Sequence, residues 1–261
     1  MGQRQAALAG AHGQAATMTA SDNQAAARLA GDGFCILPQV FGPADIARFR
    51  AAVLAAKGLM GHTRAIEHSL HLAGFHRFPA LMDLHGELAT HATVNRFLAG
   101  YYGASPFYAI SLTDITINRS QHWHTDLLRG AYAHFLDGGV AWATGERGCI
   151  KALVYLQSGK SLRIVPGSHL APTPLDDVAL EKLAGESPVT QLDVEAGDVV
   201  MIDIRTLHRG STDAEMAAPA LADNPKILVS TVFGAIHSPL AQAMQLGNAH
   251  RMQQWDRRNL K

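Results

Sequence analysis

Within the stretch QHWHTD, residues 121–126, two histidines and an aspartate stand at alternate positions. Side chains two apart in an extended chain point the same way, so His122, His124 and Asp126 would share one face and leave Trp123 and Thr125 on the other. Imidazole nitrogens and carboxylate oxygens are ligands for divalent first-row metals, and such a face reads as the rim of a metal site. The pattern alone discriminates little, because a chain with 14 histidines produces a His-x-Asp pair by chance roughly once. His85-Gly86-Glu87 is a control. It falls in a helical stretch, where positions two apart lie about 200° apart around the axis, and is rejected as a metal site.

The pair His124/Asp126 follows a strand-like run whose even positions, Asp114, Thr116, Asn118, Ser120 and His122, are all polar. Such a face is either the solvent side of an edge strand or the lining of a wet cavity inside a barrel. Downstream, a Gly197-Asp198 turn and the strand VVMIDIR lead to His208-Arg209-Gly210. Two histidines and a carboxylate on one face of an octahedron, with three positions open, form the facial triad of non-haem Fe(II) oxygenases. Structural zinc would want four protein ligands, usually with cysteine. A cupin-type site built on His122 and His124 would want a glutamate shortly after the pair, where Leu127, Leu128, Arg129 and Gly130 stand instead.

The elements that must position these residues come in a definite order. Ser21-Asp22-Asn23 offers an N-cap for a first helix ending at Gly31 or Gly33. GFCILPQV follows as a strand, and Pro43 opens a second helix with Ile46, Phe49, Val53 and Leu54 as its apolar stripe, ending at Gly58. Residues 79–99 also look helical. From about residue 108 come short segments rich in β-branched residues: YAISLTDITINRS, IKALVYLQ, SLRIVPGSH, TQLDVEAGDVVMIDI and KILVSTVFGA. Ser238-Pro239 then caps a last helix. Helices, then many strands, then a helix favour a mainly β fold, a sheet sandwich or jelly roll with flanking helices, over alternating βαβ units.

The chain has 261 residues, 48% of them hydrophobic, with 22 acidic and 22 basic side chains. That suffices for one core. The expected organisation is an N-terminal extension over 1–20, with Met18 a candidate start, then a single domain over 21–261. Its parts are a helical region to about 105, a β core over about 106–236 and a C-terminal helix over about 238–258. Balanced charge offers no broad attraction for nucleic acid or an anionic membrane, and no apolar run is long enough to span a bilayer. Cys35 and Cys149 sit in or beside apolar runs, as expected of buried thiols in a reducing cytoplasm.

Several segments together resemble the phytanoyl-CoA dioxygenase family of Fe(II)/2-oxoglutarate-dependent oxygenases. DGFCILPQVFGPADIARFR is similar to the family's first strand and helix, HTD to its His-x-Asp element, SLRIVPGSH to its most specific hairpin, and AGDVVMIDIRTLHRG to the strand carrying the distal histidine. The resemblance spans roughly residues 30–236. It implies a double-stranded β-helix, with Fe(II) at His124, Asp126 and His208 and His122 as a neighbour of the metal. It also implies 2-oxoglutarate and O2 as cosubstrates, succinate and CO2 as products, and oxidation of a substrate C–H bond. Within that resemblance, the intact Asp126 points to hydroxylation, or a related desaturation or cyclisation, rather than halogenation.

The family's cosubstrate-gripping arginine is replaced here by Lys226, at the start of KILVSTVFG, with Ser230 on the same face. Arg119, Arg163 and Arg205 are the other candidates for that anchor. LLRGAYAHFLDGG, following the His-x-Asp pair, is expected to wall the substrate pocket. Arg129, Tyr132 and His134, with Asn118 and His122, are the candidate substrate contacts, and their polarity suits a small polar or anionic metabolite. The rival function is a non-catalytic barrel that binds or senses a small molecule.

Overall fold

The structure, a computed structural model, describes residues 19–63, 68–127, 134–136, 141–142, 147–160, 162–174 and 176–259. Most of the expected N-terminal extension, Met18 included, lies outside these residues, as do Arg129 and Tyr132.

The helices are α1 (Ala20–Asp32), α2 (Pro43–Ala55), α3 (Met82–Thr90), α4 (Ala92–Tyr102), α5 (Asp177–Gly185), α6 (Asp213–Met216), α7 (Ala220–Asp223) and α8 (Pro239–Asn259). α1 begins a little earlier than the Ser21–Asn23 cap suggested. Thr19 is the N-cap, exchanging hydrogen bonds with Asp22 in a capping box, which satisfies two otherwise orphaned backbone donors. Its far end is Gly33, at φ 84°. A side chain there would also collide with Thr206 Oγ1 and His169 Nδ1, so glycine is required twice over. The helical stretch expected over 79–99 is divided. A 3-10 turn at Pro79–Leu81 precedes α3, and His91, extended at ψ 127°, separates α3 from α4.

The strands are β1 (Phe34–Leu37), β2 (Gly61–His62), β3 (Leu70–Ala73), β4 (Phe107–Ile117), β5 (Ile150–Tyr155), β6 (Arg163–Ile164), β7 (Thr190–Gln191), β8 (Val199–Asp203), β9 (His208–Arg209) and β10 (Ile227–Ala235). Seven of them form an antiparallel sheet in the order β1-β8-β5-β10-β4-β3-β2, and three form a second sheet, β7-β6-β9. β2 and β3, which extend the large sheet beyond β4, carry too short and too histidine-interrupted a pattern to have been expected.

Alternation along the central strands separates two environments. Ile150, Ala152 and Val154 of β5, with Ile227, Val229 and Phe233 of β10, belong to the large core that also takes in α1 to α4. Each of the larger of these side chains, the Ile, Val and Phe, contributes roughly 1.5–3 kcal/mol when fully buried. The opposite faces, with Lys151, Leu153, Tyr155, Leu228 and Ser230, look into a cavity between the two sheets. α8 packs Leu240, Ala241 and Met244 against Ile110, Leu112 and Val232. Both cysteines are buried free thiols. Among the described residues no helix is long and apolar enough to cross a membrane.

Candidate metal centre

β4 stops at Ile117, and Asn118 turns the chain at φ 47°, a conformation asparagine tolerates better than most residues. Residues 118–126 therefore do not continue the strand, and the expected common face of His122, His124 and Asp126 breaks up. Asn118 leaves the cavity. Its Nδ2 donates to Leu221 O at 2.9 Å and its Oδ1 accepts from Lys226 N at 2.7 Å, so it fastens two loops and does not line the pocket.

What replaces the strand is pairing with the segment around β9. His124 N donates to His208 O and His208 N to His124 O, both at 2.9 Å, and Asp126 N donates to Ile204 O at 2.8 Å. This brings His124, Asp126 and His208 together, each offering a ligand atom within 4.8 Å of the others. His124 Nδ1 donates to His122 O at 2.7 Å and His208 Nδ1 to Thr206 O at 2.9 Å. A carbonyl can only accept, so Nδ1 carries the proton in both rings and Nε2 presents its lone pair. Those Nε2 atoms face Asp126, at 3.9 Å for His124 and 3.6 Å for His208. The donor set, geometry and tautomers fit a divalent metal with positions left open.

His122 serves this arrangement through its backbone carbonyl. Its side chain is 60% exposed and lies 3.8 Å from Glu181 of α5, which removes the His122/His124 pair of the cupin-type reading. The SLRIVPGSH segment also acts by positioning. β6 pairs with β9, placing Ile164 opposite His208. Ser168 Oγ accepts from Leu207 N at 2.8 Å and donates to Val165 O at 2.7 Å, and His169 Nε2 meets Ala30 O at 3.1 Å. The motif thus clamps the His208 strand to the end of α1.

Burial strongly disfavours charge on His124, and His208 beside it adds repulsion, so its pKa is pushed down to about 3. The ring is neutral, as a ligand must be. Burial also opposes ionisation of Asp126, but the Lys151 ammonium, then His208 and His124, outweigh it and hold the carboxyl below its usual range. Lys151 Nζ lies 3.0 and 3.1 Å from the two carboxylate oxygens. Lys151 does not stand out in the sequence. The available signal was alternation in IKALVYLQ, which puts it on the same face as Leu153 and Tyr155.

The described residues enclose a cavity of about 350 Å³ around this centre. Lys226, Ser230 and Arg119 line it, and so does His122 at its edge. Lys226 Nζ donates to Ser211 Oγ at 2.8 Å. Burial lowers its pKa to about 8, against the pull of Glu215. Arg205 is committed elsewhere, gripping buried Asp203 with Nε and Nη2 at 2.9 and 2.7 Å. Arg163 is paired with Glu215 at 3.1 Å, and neither arginine lines the cavity. His134 is exposed against Phe135 and does not line it either. Glu87 pairs with Arg48, consistent with rejecting His85/Glu87 as a metal site.

The sequence model of the phytanoyl-CoA dioxygenase (PhyH) family matches residues 29–214. No protein among those of curated function matches the chain in sequence. Among solved structures, the epimerase SnoN in complex with Fe3+, alpha ketoglutarate and nogalamycin RO is 19% identical, with a TM-score of 0.63 over 83% of this chain and 84% of that one. HygX from Streptomyces hygroscopicus, solved with nickel, 2-oxoglutarate and hygromycin B bound, is 18% identical, with a TM-score of 0.57 over 84% and 88%. EctD from S. alaskensis, in its apoform, is 17% identical, with a TM-score of 0.62 over 85% and 80%. At these identities the likeness is one of fold, a double-stranded β-helix braced by helices.

Proposed function

Since the chain belongs to the phytanoyl-CoA dioxygenase family of Fe(II)/2-oxoglutarate-dependent oxygenases, we propose that it hydroxylates a C–H bond of a small polar or anionic metabolite, with His124, Asp126 and His208 holding the iron. Fe(II), 2-oxoglutarate and O2 are its cofactor and cosubstrates. The observation that carries the site assignment is the convergence of these three side chains within 4.8 Å, with both Nδ1 atoms tied to backbone carbonyls.

When bound, iron with 2-oxoglutarate and O2 supplies the oxidising power to break the substrate C–H bond, 2-oxoglutarate leaving as succinate and CO2 while the substrate gains a hydroxyl. The protein's share is orientation and exclusion of water. His122 O and Thr206 O hold the two imidazoles in the ligating tautomer. Lys151 holds Asp126 in place. Lys226, beside Ser211 and with Ser230 further along the same cavity wall, receives the far carboxylate of 2-oxoglutarate; a lysine does this as a point charge rather than as a two-pronged fork. Leu153, Leu162 and Leu228 line the cavity and keep its walls apolar between the polar groups. At about 350 Å³ the space is near the lower end of the ~300–1,000 Å³ typical of ligand pockets, and 2-oxoglutarate takes part of it. A small substrate fits better than a long acyl chain.

Anaerobic titration with Fe(II) and 2-oxoglutarate tests the site. A weak visible charge-transfer band is expected, and H124A should abolish it; a band surviving H124A but lost in H122A would overturn the ligand set. The reaction is tested by a substrate panel read as succinate release and product mass. A product bearing one added oxygen atom is expected. The names of two structural neighbours include epimerase and carbocyclase. A product of unchanged mass, or one lacking two hydrogens, would replace hydroxylation by one of those outcomes.

A further inference from the structure

One aromatic side chain on the cavity wall carries a polar atom that the fold leaves unmatched. Tyr155, the last residue of β5, lines the cavity yet is only 1% exposed. It belongs to an apolar cluster with Phe34, Leu162, Ile164, Leu192 and Val194, which fixes the direction of its ring. Its hydroxyl makes no hydrogen bond to a described residue, and burial alone pushes its pKa up. Nor is that oxygen one of the unpartnered polar atoms sealed inside the protein, so the little surface Tyr155 keeps includes the hydroxyl and opens on the cavity. A buried tyrosine hydroxyl normally has a partner. One that faces a cavity finds it in what the cavity binds.

The sheet register fixes which part of the cavity this is. Tyr155 stands opposite Leu228 in the antiparallel β5/β10 pair. Lys226 and Ser230 lie two residues to either side of Leu228, on the same cavity-lining face, and are therefore diagonal to Tyr155. Diagonal neighbours are about 7–8 Å apart, within reach of aromatic and long side chains. The pairing holds as far as this end, because Leu156 N donates to Ile227 O at 3.3 Å and Ile227 N to Gln157 Oε1 at 2.7 Å. Tyr155 and Lys226 thus approach one end of the cavity from adjacent strands. An ammonium only donates, and a phenol that burial keeps protonated has one hydrogen to give. Two such donors side by side suit an acceptor with two oxygens. The lysine attracts a carboxylate as a point charge without a set direction; the phenol, held by its packing, supplies the direction.

We propose that the Tyr155 hydroxyl donates a hydrogen bond to the far carboxylate of 2-oxoglutarate, sharing it with Lys226, and that the pair selects 2-oxo acids ending in a second carboxylate. The inference rests on the oxygenase reading, which puts 2-oxoglutarate in this cavity.

The test is calorimetric titration of the Co(II)-loaded protein with 2-oxoglutarate and with 2-oxopentanoate, which keeps the 2-oxo acid end and the chain length but lacks the far carboxylate. Y155F removes only the hydroxyl. It should weaken 2-oxoglutarate binding about tenfold, as expected for losing one hydrogen bond to a charged group, and leave the affinities for 2-oxopentanoate and for Co(II) unchanged. Y155F should also unfold at no lower a temperature than the wild type, since the hydroxyl holds nothing within the protein. An unchanged affinity for 2-oxoglutarate in Y155F, or an equal weakening of both acids, overturns the proposal. Wild-type protein that binds Co(II) but no 2-oxoglutarate would sink the oxygenase reading itself, whereas wild-type binding that Y155F leaves intact would sink only the role of Tyr155.

Discussion

Asp114 and Asp126 are two buried aspartates in one cavity, both with histidine beside them and both held ionised, yet only one belongs to a metal-ligating set. Around Asp126, both imidazoles turn Nε2 inward because their Nδ1 atoms are occupied by carbonyls. Lys151, the strong side-chain donor to this carboxylate among the described residues, is a compact point charge. Around Asp114, a guanidinium covers both oxygens and one histidine donates directly to the carboxylate. The first cluster keeps lone pairs converging on a common point. The second spends its acceptors on donors from the protein. Residue types alone do not separate the two; the direction in which each nitrogen faces does.

The sharpest break between them should appear on metal loading. D126A should abolish the Fe(II)/2-oxoglutarate band, whereas D114N should retain it; loss of the band in both would erase the distinction. Next in size is stability. D114A leaves Arg251 partly buried without its partner and should cost about 3 kcal/mol by denaturant unfolding, in line with the penalty for breaking a buried ion pair, and D114N/R251M should recover much of that loss. A third measurement bears on Lys226, the cation of the other end of the cavity. K226M should weaken 2-oxoglutarate binding by about 10- to 100-fold, the loss of a charge-assisted hydrogen bond of roughly 1.5–3 kcal/mol.

The same lysine gives a pH signature. Burial first of all lowers its pKa to about 8, from 10.5 in an unburied chain. Between these values the unfolded chain binds the proton and the folded one releases it, so Lys226 makes stability rise with pH from about 8 to 10.5. Affinity for 2-oxoglutarate should move the opposite way, falling up to about tenfold per pH unit above 8 as the ammonium is lost. K226R, which stays charged, should flatten that fall; an unchanged profile would send the anchor to Arg119. The smallest effect expected is at His122, whose exposed side chain should be replaceable by alanine within about 0.5 kcal/mol and without change in metal affinity.

Much of this was legible in the chain because it rests on local signals. Most of the strands from β4 onward announce themselves by β-branched alternation, α8 by its Ser238-Pro239 start, and Gly33 by closing α1. His124, Asp126 and His208 stood out because ordered motifs surround them. Other features were hidden by long-range causes. Lys151 looks like any strand lysine until β5 is seated in the cavity wall. Arg251 looks like one of several basic residues of a polar terminal helix until α8 packs on β4. Asn118 and His122 misled because an alternating polar pattern was read through a left-handed turn that ends the strand.

The sequence by itself determined the element order, the mainly β core and the identity of a His-x-Asp and distal His set, since hydrophobic period, turn residues and ligand types are local properties. Only the tertiary structure decided which nitrogens face the shared point and which carboxylate is closed by arginine. Those depend on backbone pairs such as His124 with His208 and side-chain pairs such as Arg251 with Asp114. Their members are 84 and 137 residues apart, distances at which no local pattern in the chain carries the information.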